Sequence, residues 1–480
     1  MNYRMILKVI GKVILIEAGL LIFPMAVALI YGESSVFAFL ITFGGALAVG
    51  SLLVFPIKPK KKDLFAKEGL VIVSLSWIVV SAIGALPFVI SGEIPSYADA
   101  LFETVSGFTT TGSSILSDVE ALGKAALFWR SFTHWIGGMG VLVFLTAITS
   151  NTDKSINILR AEMPGPSVDK IVPRAKDTAR ILYLMYVGLT AVCVIMLLCG
   201  GLSPFESLVY SFGAAGTGGF GVKADSIAGC TPYVQWVLGV FMLLFGVNFN
   251  LYYLILAGKI KDMLKSRELH LYLGIVAVAT AVICLDIGKS CANFGETLRL
   301  AFFQVSSIIT TTGYATADFN LWPVLSKGVL LVLMFIGGCA GSTAGGFKVV
   351  RVGIILEKLK GEFRRVLHPH SAYVVKYDGK KVPEETLTGV LSYLGLYSVT
   401  IVVVFLLVCA EGSFDLETNI SAVVSCFNNI GPAFGAAGPM SSFADYGVFA
   451  KIVLTFAMLL GRLEIYPLLL TLNPLTWAKK

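Results

Sequence analysis

Charge is what this sequence has least of. Asp, Glu, Lys and Arg supply 14% of its 480 residues, where soluble domains run near 25%. A soluble fold with 56% hydrophobic residues would need connecting helices with polar faces, and few are present. Histidine is also scarce: His134, His270, His368 and His370 form no ligand cluster. The eight cysteines show no close metal-ligand pairing and mostly sit in apolar runs, so they read as small core hydrophobes rather than a disulfide framework. No Walker or Rossmann fingerprint occurs, so no nucleotide cofactor is expected on this chain. There is no coherent nucleophile–base pair, and an enzyme fits poorly. The net charge of +7 need not imply nucleic acid, because its placement follows a membrane topology.

Long apolar runs are present instead. At least ten approach or exceed the roughly 20 residues a helix needs to cross a bilayer. They lie near 9–31, 35–56, 69–91, 125–149, 181–200, 233–257, 271–288, 326–350, 388–410 and 447–471. No Ala-x-Ala-like cleavage site separates the first two, so the first reads as a retained span. Twenty-nine of the 37 Lys and Arg residues fall in 1–12, 57–68, 150–180, 258–270, 348–381 and the last two positions. Seven of the others lie on or near the opposite side, and Arg462 lies within the last span. By the positive-inside rule both termini and every basic loop are cytoplasmic, which ten spans satisfy.

Between successive spans a charge-free, hydroxyl- or amide-bearing motif recurs four times. It reads Phe108-Thr109-Thr110-Thr111-Gly112, then Thr217-Gly218-Gly219-Phe220, Thr310-Thr311-Thr312-Gly313-Tyr314 and Asn428-Asn429-Ile430-Gly431-Pro432. Each follows a half-length apolar segment: Ala100 to Phe108, one opening at Ser203-Pro204, one near 297–309, and Glu417 to Phe427. Serine before proline suits a helix start. The expected fold is an all-α membrane protein with four pseudo-symmetric helix–pore-loop–helix repeats around one central pore, plus two N-terminal transmembrane helices. The expected boundaries are 1–57 for the extra helices and 58–150, 151–258, 259–352 and 353–480 for the repeats.

Non-helical backbone at membrane depth is tolerated only where it is buried in protein or lines a water-filled cavity. A short helix followed by a glycine-containing extended piece has the shape of a pore loop, whose carbonyls can replace an ion's hydration shell. The negative end of each short helix dipole also favours a cation. Candidate filter residues are Thr110, Thr111, Gly112, Gly218, Gly219, Thr311, Thr312, Gly313, Asn429, Ile430 and Gly431, with Gly219 preferred over Gly218 because Gly-Phe matches Gly313-Tyr314. No carboxylate lies within the motifs, which argues against a divalent-cation filter. Fifteen acids against seven bases on the outer side, Glu33, Glu93, Asp99, Glu103, Glu417 and Asp445 among them, would concentrate cations at an entrance, although ordinary solvated loops look the same.

Two features interrupt the later spans. Gly337-Gly338-Cys339-Ala340-Gly341-Ser342-Thr343-Ala344-Gly345-Gly346 holds five glycines in ten residues, each costing a helix about 1 kcal/mol relative to alanine. It reads as a broken, mobile gate segment or as a close-packing stretch; Trp135 to Gly140 is a shorter echo that suits packing better. Arg462 costs at least roughly 2.5–3.5 kcal/mol in a span. It is either a positive barrier inside a cation pore or a structural pair with Glu464 or a carbonyl.

Taken together, these motifs resemble the four pore loops of the Trk/Ktr/HKT superfamily of potassium-translocating subunits. Gly337 to Thr343 resembles its intramembrane gating loop, and Gly461-Arg462-Leu463-Glu464 resembles its last-helix signature. Two additional N-terminal spans are similar to the TrkH/TrkG branch. The resemblance covers essentially the whole chain. It implies a bacterial inner-membrane homodimer with one pore per subunit, gated under a cytoplasmic ring of nucleotide-binding TrkA-like subunits. It assigns gate roles to Gly337, Gly338, Gly341, Ser342, Thr343, Gly345, Gly346 and Arg462. Nothing beyond K+ is expected to bind this chain as a cofactor, any nucleotide belonging to the partner. The alternative function is a secondary K+ symporter coupled to Na+ or H+.

Overall fold

A computed structural model describes residues 1–57, 65–140, 175–369 and 373–478. The basic residues at 58–62, the expected span beyond 140, most of the basic loop 150–180 and His370 lie outside the described residues. The chain opens with α1 (Tyr3–Leu20), α2 (Ile22–Tyr31) and α3 (Val36–Val54). Helix α1 packs along α3, because small residues let the backbones approach. A methyl group on Gly50 would lie 2.8 Å from the Leu15 side chain and 3.1 Å from the Gly11 carbonyl oxygen.

One succession of elements then occurs four times: long helix, short helix, loop, and a second helix that stops early. The first comprises α4 (Ala66–Gly84) continued by α5 (Leu86–Ser91), then α6 (Tyr97–Phe108) and α7 (Lys124–Met139). The second comprises α8 (Ala175–Cys199), α9 (Pro204–Gly216), α10 (Pro232–Phe245) and α11 (Phe249–Leu256). After α12 (Ile260–Met263) the third has α13 (Arg267–Ile287), α14 (Phe294–Ile309), α15 (Val324–Ile336) and α16 (Val349–Leu367). A two-stranded hairpin of β1 (Lys376–Tyr377) and β2 (Lys380–Lys381) precedes the fourth: α17 (Glu384–Cys409), α18 (Leu416–Asn428), α19 (Val448–Arg462) and α20 (Tyr466–Leu472). The short α21 (Pro474–Trp477) closes the chain.

Among the described residues six helices are long and apolar enough to cross a membrane: Tyr3–Tyr31, Val36–Val54, Ala66–Ser91, Asp177–Cys199, Arg267–Ile287 and Glu384–Cys409. The remaining expected spans are the second helices, and in the second, third and fourth repeats the structure departs from continuous spans. Helices α10 and α11 meet at 90° across Gly246-Val247-Asn248, where the Asn248 side chain caps α11 by accepting from the Asn250 N–H. Helix α15 stops at Ile336. Helix α19 stops at Arg462, and Glu464 and Ile465 follow with φ of +53° and +65°. Residues 348–381, read as a basic loop, are mostly the amphipathic helix α16 and the hairpin.

All four short helices start with a side-chain cap: Ser96, Ser203, Asn293 and Asp415 accept from backbone N–H groups of the first turn. Their packing is cyclic. Helix α7 lies on α9, α10 on α14, α15 on α18, and α19 returns to α6. The N-terminal helices stay outside this cycle, α1 against α4 and α2 against α7.

The Gly11–Gly50 approach yields a test. Gly50→Leu should separate α1 from α3 and lower the thermal midpoint of the detergent-solubilised protein, by about 1–3 kcal/mol of overpacking. Gly44→Leu on the same helix, where open space surrounds the glycine, should leave it unchanged. Equal midpoints for the two variants would show that this packing does not hold the pair.

Candidate functional site

The loops after the four short helices share one backbone pattern. Each helix closes with a Schellman motif. In the first, the Thr111 N–H donates to the Ser106 carbonyl at 2.8 Å and Thr110 N–H to Gly107 at 3.1 Å. The same pairs recur as Gly218 to Gly213 with Thr217 to Ala214, Thr312 to Ser307 with Thr311 to Ile308, and Ile430 to Ser425 with Asn429 to Cys426. The left-handed residue at each cap is Thr110, Thr217, Thr311 or Asn429, with φ of 55° to 58°. A β-branched residue there is strained. Two positions later Gly112, Gly219, Gly313 and Gly431 take φ of 83°, 80°, 84° and 108°. Gly219, not Gly218, is therefore the backbone equivalent of the other three, and Gly218 stands where Thr111, Thr312 and Ile430 do.

These glycines meet in a ring. A methyl group on Gly112 would overlap the Gly218 carbonyl, one on Gly219 the Thr312 carbonyl, and one on Gly313 the Ile430 carbonyl. One on Gly431 would approach the Thr111 carbonyl at 2.8 Å, which closes the circle. Glycine is thus required twice over, for φ and for space. All four line the floor of one cavity of about 510 Å³, whose wall carries Ser113, Ser114, Ser117, Ser226, Ser441 and Ser442.

Beneath the ring the side chains are tied back. Thr109 and Thr111 share a 2.8 Å hydrogen bond, and Thr310 and Thr312 do likewise. The Asn429 amide donates to Thr111 Oγ1 and to the Met458 carbonyl, both at 2.9 Å. From below, the Gly345 N–H donates to Thr311 Oγ1 at 2.7 Å, which brings the 337–346 segment directly against the third loop. That segment is anchored to the α10–α11 break: Cys339 N–H donates to the Gly246 carbonyl, Phe249 N–H to the Gly341 carbonyl, and Thr343 Oγ1 to the Phe245 carbonyl. Its Ala340 N–H also donates to the buried Glu268 carboxylate at 2.7 Å.

Arg462 lies in the same layer. Its guanidinium donates to the carbonyls of Gly137 at 2.6 Å, Gly138 at 2.9 Å and Thr343 at 3.0 Å, and to Thr110 Oγ1 at 3.3 Å. Of the two partners considered for it, backbone carbonyls are present, whereas Glu464 pairs instead with Arg351 at 2.7 Å. The Gly137-Gly138 echo is a packing element that also supplies two of those carbonyls. A methyl group on Gly137 would overlap the Phe108 carbonyl, and one on Gly138 would lie 2.7 Å from Gly216 Cα. Among Gly337, Gly338, Gly341, Ser342, Gly345 and Gly346, positive φ at 337, 341 and 346 accounts for three glycines.

Several residues escaped sequence reasoning. Lys348, assigned to a cytoplasmic loop, is buried with its ammonium on the Ala344 carbonyl. Nothing in an isolated Lys after Gly-Gly-Phe signals that. His134 fills the space beside Gly218 and bonds the Gly107 carbonyl at 2.7 Å. The outer acids also differ from expectation. Glu103 is buried and bound to Arg130 at 2.7 Å behind the first loop, with Ser114 and the Ile115 N–H on the same carboxylate. Asp99 pairs with Lys451 and Glu417 with Lys327. Glu33 receives the first N–H groups of α7. Burial raises the neighbouring Glu93 carboxyl above its usual range, with the Gly123 N–H opposing the shift and Glu33 adding to it. Around the cavity itself the charged side chains are Arg130, Lys223 and Asp445, so serines rather than carboxylates make its wall polar. Among the described residues no group of three His, Cys, Asp or Glu could hold a metal ion.

Comparison with known proteins gives a consistent result. The family model TrkH, described as a cation transport protein, matches residues 35–288 and 283–476. The Trk system potassium uptake protein TrkH of Escherichia coli K12 is 36% identical over 489 residues, covering 100% of both chains. The TrkG protein of the same strain is 35% identical, covering 99% of each. The crystal structure of the potassium transporter TrkH from Vibrio parahaemolyticus superposes with a TM-score of 0.90 at 33% identity, covering all of both chains.

The Arg130–Glu103 pair supports the first loop and can be tested apart from any transport assay. Arg130→Met strands a buried carboxylate, and losing one member of such a pair costs about 3–5 kcal/mol. Thermal unfolding in detergent should show a large drop for Arg130→Met and substantial recovery in Arg130→Met/Glu103→Gln. A single variant that melts like the parent would remove the pair from the account.

Proposed function

The chain belongs to the TrkH family of cation transport proteins, and from that premise we propose that it is the potassium-translocating subunit of a bacterial uptake system. K+ passes down its electrochemical gradient through one pore enclosed by the four repeats, whose boundaries fall at 58–150, 151–258, 259–352 and 353–480. The observation that carries this reading is the closure of Gly112, Gly219, Gly313 and Gly431 into one ring under one serine-walled cavity. Residues that alternate between positive and negative φ turn successive carbonyls to the same side, as a ring of ion-coordinating oxygens needs. The carbonyl ends of the four short helices add negative potential at the same depth.

The filter comprises Thr110 to Gly112, Gly218-Gly219, Thr311 to Gly313 and Asn429 to Gly431. The tied-back hydroxyls of Thr111 and Thr312 leave backbone oxygens as its ligands. Immediately below, residues 337–346 and Arg462 form the closed gate. The loop reaches Thr311 through Gly345, and the guanidinium puts a fixed positive charge under the ring. Opening withdraws the loop, under control of a cytoplasmic TrkA-like nucleotide-binding ring. The protein is an inner-membrane homodimer with ten spans per subunit and both termini cytoplasmic, and the second helix of each repeat is a broken or shortened span.

Two measurements test this. Purified protein in liposomes, with and without the cytoplasmic partner, should give a reversal potential that follows the K+ gradient. A fixed dependence on a Na+ or H+ gradient would favour symport instead. Arg462→Ala, and separately a deletion within 337–346, should raise K+ flux in the absence of the partner. Unchanged or lower flux in both, at normal expression, would sink the gate.

A further inference from the structure

The four loops fill the position before the ring glycine in different ways. In the first and third, Thr111 and Thr312 share 2.8 Å hydrogen bonds with Thr109 and Thr310. In the fourth, Ile430 joins the apolar cluster that contains Ile309 and Met334. The second loop has no side chain there, because the residue is Gly218. Gly218 does not take a positive φ, so space alone calls for glycine. A methyl group on it would overlap Nδ1 and Cγ of the His134 imidazole and lie 2.6 Å from its Cδ2. The ring of His134, carried by α7 of the first repeat, stands where a side chain of the second loop would stand.

His134 is fixed by both of the loops it lies between. Its Nδ1 is 2.7 Å from the carbonyl oxygen of Gly107, in the last turn of α6. A carbonyl only accepts, so Nδ1 donates. Nε2 is buried and has no partner among the described residues, so the rest of the ring is held by fit. It lies against Phe220, with ring centroids 4.2 Å apart. The backbone of His134 abuts the end of α9, where a methyl group on Gly216 would overlap the His134 carbonyl. One residue therefore meets Gly216, Gly218 and Phe220 of the second loop and Gly107 of the first.

The Gly218 carbonyl is the group that a methyl on Gly112 would overlap, so it stands at the joint of the first and second loops in the ring. Interiors are close-packed, and removing a buried ring lets the neighbouring groups relax into the space it leaves. We propose that His134 is a positioning residue for ion selectivity, a role that rests on the filter reading above. By occupying the missing side-chain space of the second loop, it fixes where the Gly218 carbonyl stands. The His134–Gly218 contact does for that loop what the paired threonine hydroxyls do for the first and third.

Ion binding can be read without opening the gate, because an ion that binds only the folded state raises the thermal midpoint. Full-length protein in detergent is titrated with KCl or NaCl at constant ionic strength, and the parent should be stabilised at lower K+ than Na+. His134→Ala should raise the K+ concentration needed for half the rise, relative to Na+, by about tenfold, or ~1.4 kcal/mol of discrimination. His134→Phe keeps a ring in the space and loses only the bond to Gly107, and should stay close to the parent. Gly218→Ser should clash with the imidazole and lower the yield of folded protein. His134→Ala/Gly218→Ser, which moves the side chain from one partner to the other, should recover both folded protein and K+ preference. An unchanged preference in His134→Ala, or a double variant no better than Gly218→Ser, overturns the proposal. K+ preference that survives Gly313→Ala, or a parent stabilised equally by both ions, would overturn the filter reading and the selectivity role with it. The packing of His134 on Gly218 would then still stand or fall by the folded yield of the double variant.

Discussion

Four short helices end with a threonine or an asparagine in the left-handed region, and the close meeting of the loops depends on that backbone choice. A Schellman closure folds the chain back over the helix's last turn. The extended piece therefore begins near the axis of the cycle instead of beyond it. Strain of about 1–3 kcal/mol at each such residue persists only where the surroundings over-determine it. Here the 6→1 bond, the glycine two positions on and the neighbouring loop all do so. The cyclic packing of each second helix on the next short helix follows, since every short helix must present its closed end inward.

Below the loops, geometry turns on satisfying backbone groups where no water is guaranteed. The ends of α7, α10 and α15 leave carbonyls inside the protein. That of Gly246 is claimed by the Cys339 N–H, that of Ile336 by the Lys348 N–H, and those of Gly137 and Gly138 by the Arg462 guanidinium. The glycine-rich segment is thus no loose loop. It is stitched to the α10–α11 break and to Glu268, which explains how so glycine-rich a stretch has one defined course. Charges away from this layer are mostly local supports: Glu103 with Arg130, Asp99 with Lys451, Glu33 at the start of α7.

Much of this architecture is visible in the residues because hydropathy and charge report the membrane directly. The long first helices and the four short helices fall near the positions that hydropathy predicts. The breaks at 246–248 and 463–465 were illegible because the apolar run continues through both. A helix that stops to receive another segment's N–H looks, in sequence, like one that does not stop. The left-handed threonines escaped for a related reason: sequence assigns special φ to glycine, and only the assembled ring shows why threonine must accept it. Lys348 and Arg351 read as part of the basic loop 348–381, because composition cannot distinguish a buried lysine on a carbonyl from an exposed one.

The ring is also made of four different sequences on one chain. In a channel assembled from identical subunits, any single codon change alters every wall at once, so symmetry is preserved and intermediate states are unreachable. Here Thr111, Gly218, Thr312 and Ile430 occupy the same station, each encoded by its own codon. Substitution can retune one quarter while three hold the ring closed.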